Sequence, residues 1–273
     1  MKETDHVATA LKTLESKVSE IQDSDTFRQY LDYQARFHQY SFNNVLLIMA
    51  QYPEASRVAG YRSWQQMNRF VRKGEKSIRI LAPMKRKFTD EETGEDGYRV
   101  SGFRAVSVFA QEQTEGEDLP TIPVPVLDSE AGGELYGRMN DLAGSEGLSV
   151  SRTDPMLDLR PSVMGFLDRP TKRIVVRDGV SQLQATKTLA HEIGHFYANH
   201  EQSGPATETE AEGVAYVVLR RFGLDSGERS FPYISTWAQD KNVLRAALGQ
   251  IQRVSGIMID KLTGEEARKE ADF

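Results

Sequence analysis

Two of the chain's 5 His stand four residues apart in His191-Glu192-Ile193-Gly194-His195. On a helix, residues at i and i+4 lie one above the other on one face. Two imidazoles so placed can grip one Zn²⁺ at about 2.0–2.1 Å each. Glu192 would then stand beside a metal-bound water and take its proton. The chemistry of such a set is metal-assisted hydrolysis, usually of a peptide bond. The motif also arises by chance on solvated helices, but the flanks argue for a packed one. Ser181 is the expected N-cap. Leu183, Leu189, Ile193 and Phe196 recur at helical spacing, with small Ala185, Ala190 and Gly194 between them.

Catalytic zinc takes three protein ligands and leaves a place for water. His200 would lie about 140° round a continuing helix from His195, a poor position for the same metal. Ser203-Gly204-Pro205 breaks the helix, and a second is predicted over Ala206 to Phe222, stopped by Gly223. Its Glu208 and Glu212 share a face, whereas Glu210 points about 200° away from Glu208. One carboxylate of the pair would ligate, and the other would hold an imidazole by its free N–H. Upstream, Gly165-Phe166-Leu167 and Arg173 to Arg177 are predicted to be strands around a turn at Asp168 to Thr171. They would offer an edge along the cleft, where a bound peptide would protect the Val175–Arg177 amides.

Met164 to about Tyr216 resembles the ImmA/IrrE-type metallopeptidases. The likeness runs through the strand pair, Leu189-Ala190-His191-Glu192-Ile193-Gly194-His195 and Glu208-Thr209-Glu210-Ala211-Glu212-Gly213-Val214-Ala215. It implies a zincin-like α+β domain with Zn²⁺ as cofactor. His191, His195 and Glu208 would be the ligands, as in Glu-zincins, where the earlier acid of such a pair ligates. Glu212 would stand behind a ligand, at a position where many relatives have Asn. Further on, Tyr233 is read as a candidate to polarise the scissile carbonyl, or else as a core aromatic at a loop-to-helix corner.

Composition sets the frame. A chain of 273 residues with 39% hydrophobic and 27% charged content suits a globular protein of two domains. No apolar run approaches a membrane span, and the first residues lack the apolar core of a secretory signal, which favours the cytoplasm. With Cys at 0, disulfides and thiolate zinc are excluded. The net charge of -6 does not advertise a nucleic-acid binder, but it hides an asymmetry. Between Gly60 and Phe88 stand Arg62, Arg69, Arg72, Lys73, Lys76, Arg79, Lys85, Arg86 and Lys87, with Glu75 the only acid. Tyr61, Trp64, Phe70 and Phe88 interleave with them. Clustered cations bind phosphates and aromatic faces stack unpaired bases, so the stretch suggests a single-strand nucleic-acid surface.

The same half is predicted to hold helices at Ala8–Val18, Asp25–Phe37 and Val45–Gln51, and a short one at Trp64–Phe70. Strands are predicted at Ser77–Ala82 and Phe103–Phe109, with a hairpin tip over Thr89–Gly97. From Leu11 to Pro120 it resembles the N-terminal domain of ArdC-type antirestriction proteins. The likeness rests on Tyr40-Ser41-Phe42-Asn43-Asn44, Val58-Ala59-Gly60-Tyr61, Trp64, Val71 to Lys76, Ile80 to Pro83 and Phe109 to Gly116. The resemblance implies a mixed helix/sheet domain that binds single-stranded DNA, followed by a zincin domain. Tyr40, Asn43, Asn44, Arg62, Trp64, Arg69, Arg72, Lys73 and Lys76 are the candidate DNA contacts. The expected division is 1–120, a Pro-rich acidic linker at 121–130, and 131–273, opening with a helix at Ala131–Ala143.

Three functions are compatible with these residues. The first is a DNA-binding zinc metallopeptidase that cleaves a protein on or near single-stranded DNA, in the setting of plasmid or phage transfer and defence against restriction. The second is a non-proteolytic DNA binder with structural zinc. The third is a regulatory protease that cleaves one repressor.

Overall fold

The computed structural model describes residues 3–20, 24–89, 96–119, 132–158, 162–202, 204–225 and 241–264. The fold is α+β, and the chain packs as two units. The first comprises Met1–Glu20, Gln39–Pro120 and Arg268–Phe273; the second comprises Ile21–His38 and Thr121–Ala267. Ile21–His38 thus joins the second unit although it precedes most of the first in sequence. The expected linker at 121–130 lies outside the described residues.

In the first unit, a sheet of order β1-β4-β3 is built from β1 (Val58–Gly60), β3 (Ile78–Thr89) and β4 (Asp96–Ala110). The strands β2 (Arg69–Val71) and β5 (Thr114–Gly116) form a separate antiparallel pair. Helices α1 (Glu3–Glu20) and α3 (Phe42–Gln51) pack on the larger sheet. The apolar stripe of α3, from Val45 to Ile48, is buried with Ile78, Ile80 and Val108.

Two amides of α3 also cover the open edge of β3. Asn44 donates to Leu81 O at 2.9 Å and accepts from Leu81 N at 2.8 Å. Gln51, two turns on, does the same for Arg79 at 2.8 and 2.9 Å. The helix thereby supplies the hydrogen bonds of a missing strand. Helix α4 spans Tyr61–Gln66, earlier than the expected Trp64–Phe70. Asn68, at φ 55, ends it and turns Arg69 and Phe70 into β2.

In the second unit, the sheet has order β6-β8-β7, with β6 (Ser149–Ser151) parallel and β7 (Gly165–Asp168) antiparallel to β8 (Arg173–Val176). Helices α5 (Gly132–Ser145), α6 (Pro155–Asp158), α7 (Gln182–Ala198), α8 (Pro205–Arg221) and α9 (Lys241–Thr263) accompany it. Ser181 caps α7 by accepting from Gln184 N, and Gly223, at φ 76, follows the end of α8. β7 is one of the two edge strands, β6 the other. Val175 and Val176 of β8 are central and buried, which corrects the expectation that their amides would meet a peptide.

Helix α2 (Ser24–Arg36) docks on α8. Asp32 Oδ1 accepts from Tyr216 Oη and from Arg220 Nε, each at 2.9 Å. Gln34 Nε2 donates to Ser255 Oγ of α9 at 3.0 Å in a buried setting. Asp32→Ala removes one acceptor shared by a largely buried hydroxyl and a guanidinium. It is expected to lower unfolding free energy by about 1–3 kcal/mol, read as a lower urea midpoint at unchanged slope.

Candidate metal centre and basic surface

Helices α7 and α8 cross where Gly194 meets Ala211 and Val214. A methyl group on Gly194 would lie 3.3 Å from Val214 Cγ1. This close approach brings Glu208, in the first turn of α8, over the His pair of α7. His191 Nε2 and His195 Nε2 are 3.0 Å apart. Glu208 Oε2 is 3.3 Å from His191 Nε2, and its Oε1 is 3.6 Å from His195 Nε2. Tetrahedral ligands at about 2.0–2.1 Å from a common centre stand about 3.3–3.4 Å from one another. The observed separations bracket that value. Two imidazoles and a carboxylate are also a donor set suited to a divalent transition metal. The three residues are the one such cluster among the described residues.

Glu192 is buried at the wall of the cleft. Burial pushes its carboxyl up to about 7, against the pull of His191, while Glu208 adds to the rise and the Leu167 backbone N–H opposes it. His191 is buried too, which opposes a charge, but Glu208, Glu212 and Glu192 outweigh burial and lift it to about 9. Glu212 Oε2 lies 3.6 Å from His191 Nδ1, and its other oxygen pairs with the buried Lys187 ammonium. Burial would raise Glu212; His191 and Lys187 overcome it and hold it near about 2.

The cleft has a volume of about 740 Å³ and is bordered by Ser162–Pro170, with β7 along one side. β7 is pressed onto α7: a methyl group on Gly165 would stand 2.5 Å from Thr188 Cγ2. Tyr233 lies outside the described residues.

Sequence reasoning missed His200 and Glu210 as contributors. His200 Nδ1 is 2.9 Å from His195 Nδ1, and its Nε2 is 2.9 Å from Glu210 Oε2. The expectation from a continuing helix fails because α7 ends at Ala198. Asn199 turns left-handed at φ 56 and swings His200 back. A left-handed Asn at a helix end is a recognised stop signal, and it was available at position 199.

The candidate DNA contacts divide in the first unit. Trp64 is fully buried and donates its indole N–H to Phe109 O at 2.9 Å, so it has no face for a base. Arg69 is buried, with its guanidinium on Thr114 and the Glu117 carbonyl. Asn44 is buried on the β3 edge. Tyr40 is partly buried and donates to Val58 O. Trp64, Arg69 and Asn44 are framework residues rather than surface contacts. Arg72 is exposed but spans Glu75 and the Glu112 carbonyl. Asn43, Arg62, Lys73 and Lys76 are exposed.

A basic and aromatic surface stands elsewhere, on the outer part of the β3–β4 ribbon. Register pairs Pro83 with Phe103, shifts at Met84/Lys85, then pairs Lys85 with Val100 and Lys87 with Tyr98. Directly opposed residues share a face. Phe103, Val100 and Tyr98, at 53%, 56% and 70% exposure, therefore line up beside Lys85 and Lys87. Arg86 and Arg99 pair on the other face.

Two imidazoles, one carboxylate and a buried Glu beside them form a candidate metal centre in the second unit. Comparison with known proteins gives two partial family matches. Residues 2–122 match the family model for the N-terminal domain of anti-restriction factor ArdC. Residues 154–233 match that for the IrrE N-terminal-like domain, of the M78 peptidase family. The two matches follow one another along the chain without overlap.

An uncharacterized protein of Bacillus anthracis is 23% identical over 262 residues, covering 78% of this chain; the chain spans 44% of that relative's length. Among solved structures, the chain is similar to antirestriction ArdC protein from the R388 plasmid. The metal-free form has 19% identity and TM-score 0.48, covering 82% of this chain and 85% of that one. The Mn(II)-bound form has 14% identity and TM-score 0.47, covering 88% and 99%. No helix among the described residues is long and apolar enough to cross a membrane.

The metal set yields a direct expectation. Purified wild type is expected to hold about one divalent transition-metal ion per chain by elemental mass spectrometry, and His191→Ala and Glu208→Ala are each expected to lose it. Retention in Glu208→Ala would move the third ligand, first to Glu212.

Proposed function

We propose that this chain is a zinc metallopeptidase of antirestriction type that binds single-stranded DNA through its first unit and hydrolyses a protein in its second. The observation that carries the peptidase reading is the convergence of His191, His195 and Glu208, with the Glu192 carboxyl buried beside them. His191, His195 and Glu208 would hold the ion. When bound, it would polarise a carbonyl and lower the pKa of a water toward about 7. Glu192 takes the proton from the attacking water and returns it to the leaving amine. Burial suits Glu192 to this by placing its exchange near neutrality. The substrate chain lies extended along β7, where the Leu167 N–H already points to Glu192. Lys187 holds Glu212, and Glu212 faces the far nitrogen of His191, which leaves the near one for the ion.

Glu192→Gln separates hydrolysis from DNA shielding. The variant is expected to keep its zinc and lose cleavage of a protein substrate by at least about 100-fold. Antirestriction activity that survives intact in this variant would favour a non-proteolytic role. Cleavage confined to one repressor would favour a regulatory protease.

For the first unit, the outer β3–β4 ribbon supports single-strand binding better than the Arg62–Lys76 segment does. Its lysines offer charge to phosphates, and its exposed rings offer faces to bases. Replacing Lys85 and Lys87 by Ala is expected to make the log K against log salt slope shallower by about 1.4, at about 0.7 per phosphate for single strands. An unchanged slope in fluorescence-anisotropy titrations with a labelled oligonucleotide would remove the ribbon from the interface.

A further inference from the structure

We infer that His200 and Glu210 form a positioning pair that sets the tautomer and orientation of His195. The inference rests on the metal-site reading above and concerns residues outside its ligand set.

With neutral imidazoles, the hydrogen-bond chemistry of the chain Glu210–His200–His195 has one solution. A carboxylate only accepts, so the 2.9 Å contact with Glu210 Oε2 puts the His200 proton on Nε2. In a neutral imidazole the other nitrogen then accepts. The 2.9 Å contact between the two Nδ1 atoms therefore puts the His195 proton on Nδ1. His195 Nε2 is left as a bare lone pair, at the point where Glu208 and His191 converge. Ligating imidazoles are usually fixed in this way by a carboxylate, a carbonyl or a water. Here a second imidazole takes that place.

The pair is built in. The side chains of His200 and Glu210 are 7% and 18% exposed. The turn that presents His200 is clamped from the β7–β8 loop. Arg169 donates from Nε to His200 O at 2.9 Å and from its terminal nitrogen to His195 O at 2.7 Å. A guanidinium on the last carbonyls of α7 also suits the negative end of that helix. Each ligand imidazole thus has its own acid of α8 behind it: Glu212 faces His191 directly, and Glu210 reaches His195 through His200. Without an acceptor at Nδ1, the His195 ring is free to carry its proton on Nε2, the atom that the ion needs.

The test is zinc affinity of the full chain by competition with a chromophoric chelator, at one pH, for wild type, His200→Ala, His200→Asn and His191→Ala. His200→Ala is expected to bind about 10–100-fold more weakly. His200→Asn can offer its Oδ1 where Nδ1 stood and is expected to recover most of that loss, which a merely structural role would not predict. Long-range proton–nitrogen NMR of the zinc-loaded wild type needs no substitution; it should show His195 protonated on Nδ1 and His200 on Nε2. Wild-type affinity in His200→Ala, or a His195 bound through Nδ1, would overturn the inference while leaving the site standing. If wild type and His191→Ala both fail to bind zinc, the metal reading itself fails and this inference with it.

Discussion

The contact between α7 and α8 at Gly194 governs the second unit. Imidazoles at 191 and 195 can face one point from a single helix, but a carboxylate must reach them from another. The reach of a Glu side chain is short, so the helices must approach closely. Gly194 permits this, since even a methyl group there would press on Val214 at 3.3 Å. The back of α8 is held by a second tight contact: a methyl group on Gly213 would lie 2.7 Å from Ile251 Cδ1 of α9. Such contacts carry no chemistry. They convert a spacing in sequence into a distance between ligand atoms, and close packing leaves little slack for relaxation.

Concentrating acids and imidazoles in one cleft brings a cost that the surrounding residues answer. Buried ionisable groups are disfavoured unless paired. Lys187 pairs Glu212, and Arg169 takes the carbonyls at the end of α7. Glu210 takes His200, which in turn takes His195. Among these acids Glu192 stands apart. Among the described residues it has no cationic side-chain partner beyond the pull of His191, and burial dominates, so its carboxyl rises. The neighbouring Glu212 is less deeply placed and moves the other way because His191 and Lys187 are beside it. Two glutamates in one cleft are thus driven to opposite protonation behaviour, one by burial and the other by the charges paired with it, a separation suited to a proton carrier and a fixed support.

Much of this site was legible in the sequence, because its parts lie on regular helices whose geometry extrapolates. The His pair, the N-cap at Ser181 and the glutamate-bearing second helix all follow from a period of 3.6 residues. Extrapolation stopped at Asn199, where one left-handed residue replaces the helical path. His200 was therefore assigned a direction that it does not have, and Glu210, facing away from Glu208 on its own helix, appeared to have nothing to meet. The docking of α2 on α8 was illegible for another reason. Its buried face is apolar like that of any core helix, and nothing in its pattern names Asp32's partners, Tyr216 and Arg220.

In the first unit the failure was of a different kind. Composition identified a segment rich in cations and rings but could not assign depth. Trp64 and Arg69 are among its strongest contributors, and both are consumed by the framework: the indole by Phe109 O, the guanidinium by Thr114 and Glu117. Burial reverses their meaning, since a ring inside the core and a cation saturated by carbonyls attract no ligand. The surface that remains depends on pairing across a hairpin. Tyr98 and Phe103 flank Val100 beside Lys85 and Lys87 only because the register shifts at Met84/Lys85. A slip of one residue would send each of them to the opposite face. Single-residue chemistry was therefore readable, but its alignment into a surface is a property of the folded ribbon, and the bulge is what sets it.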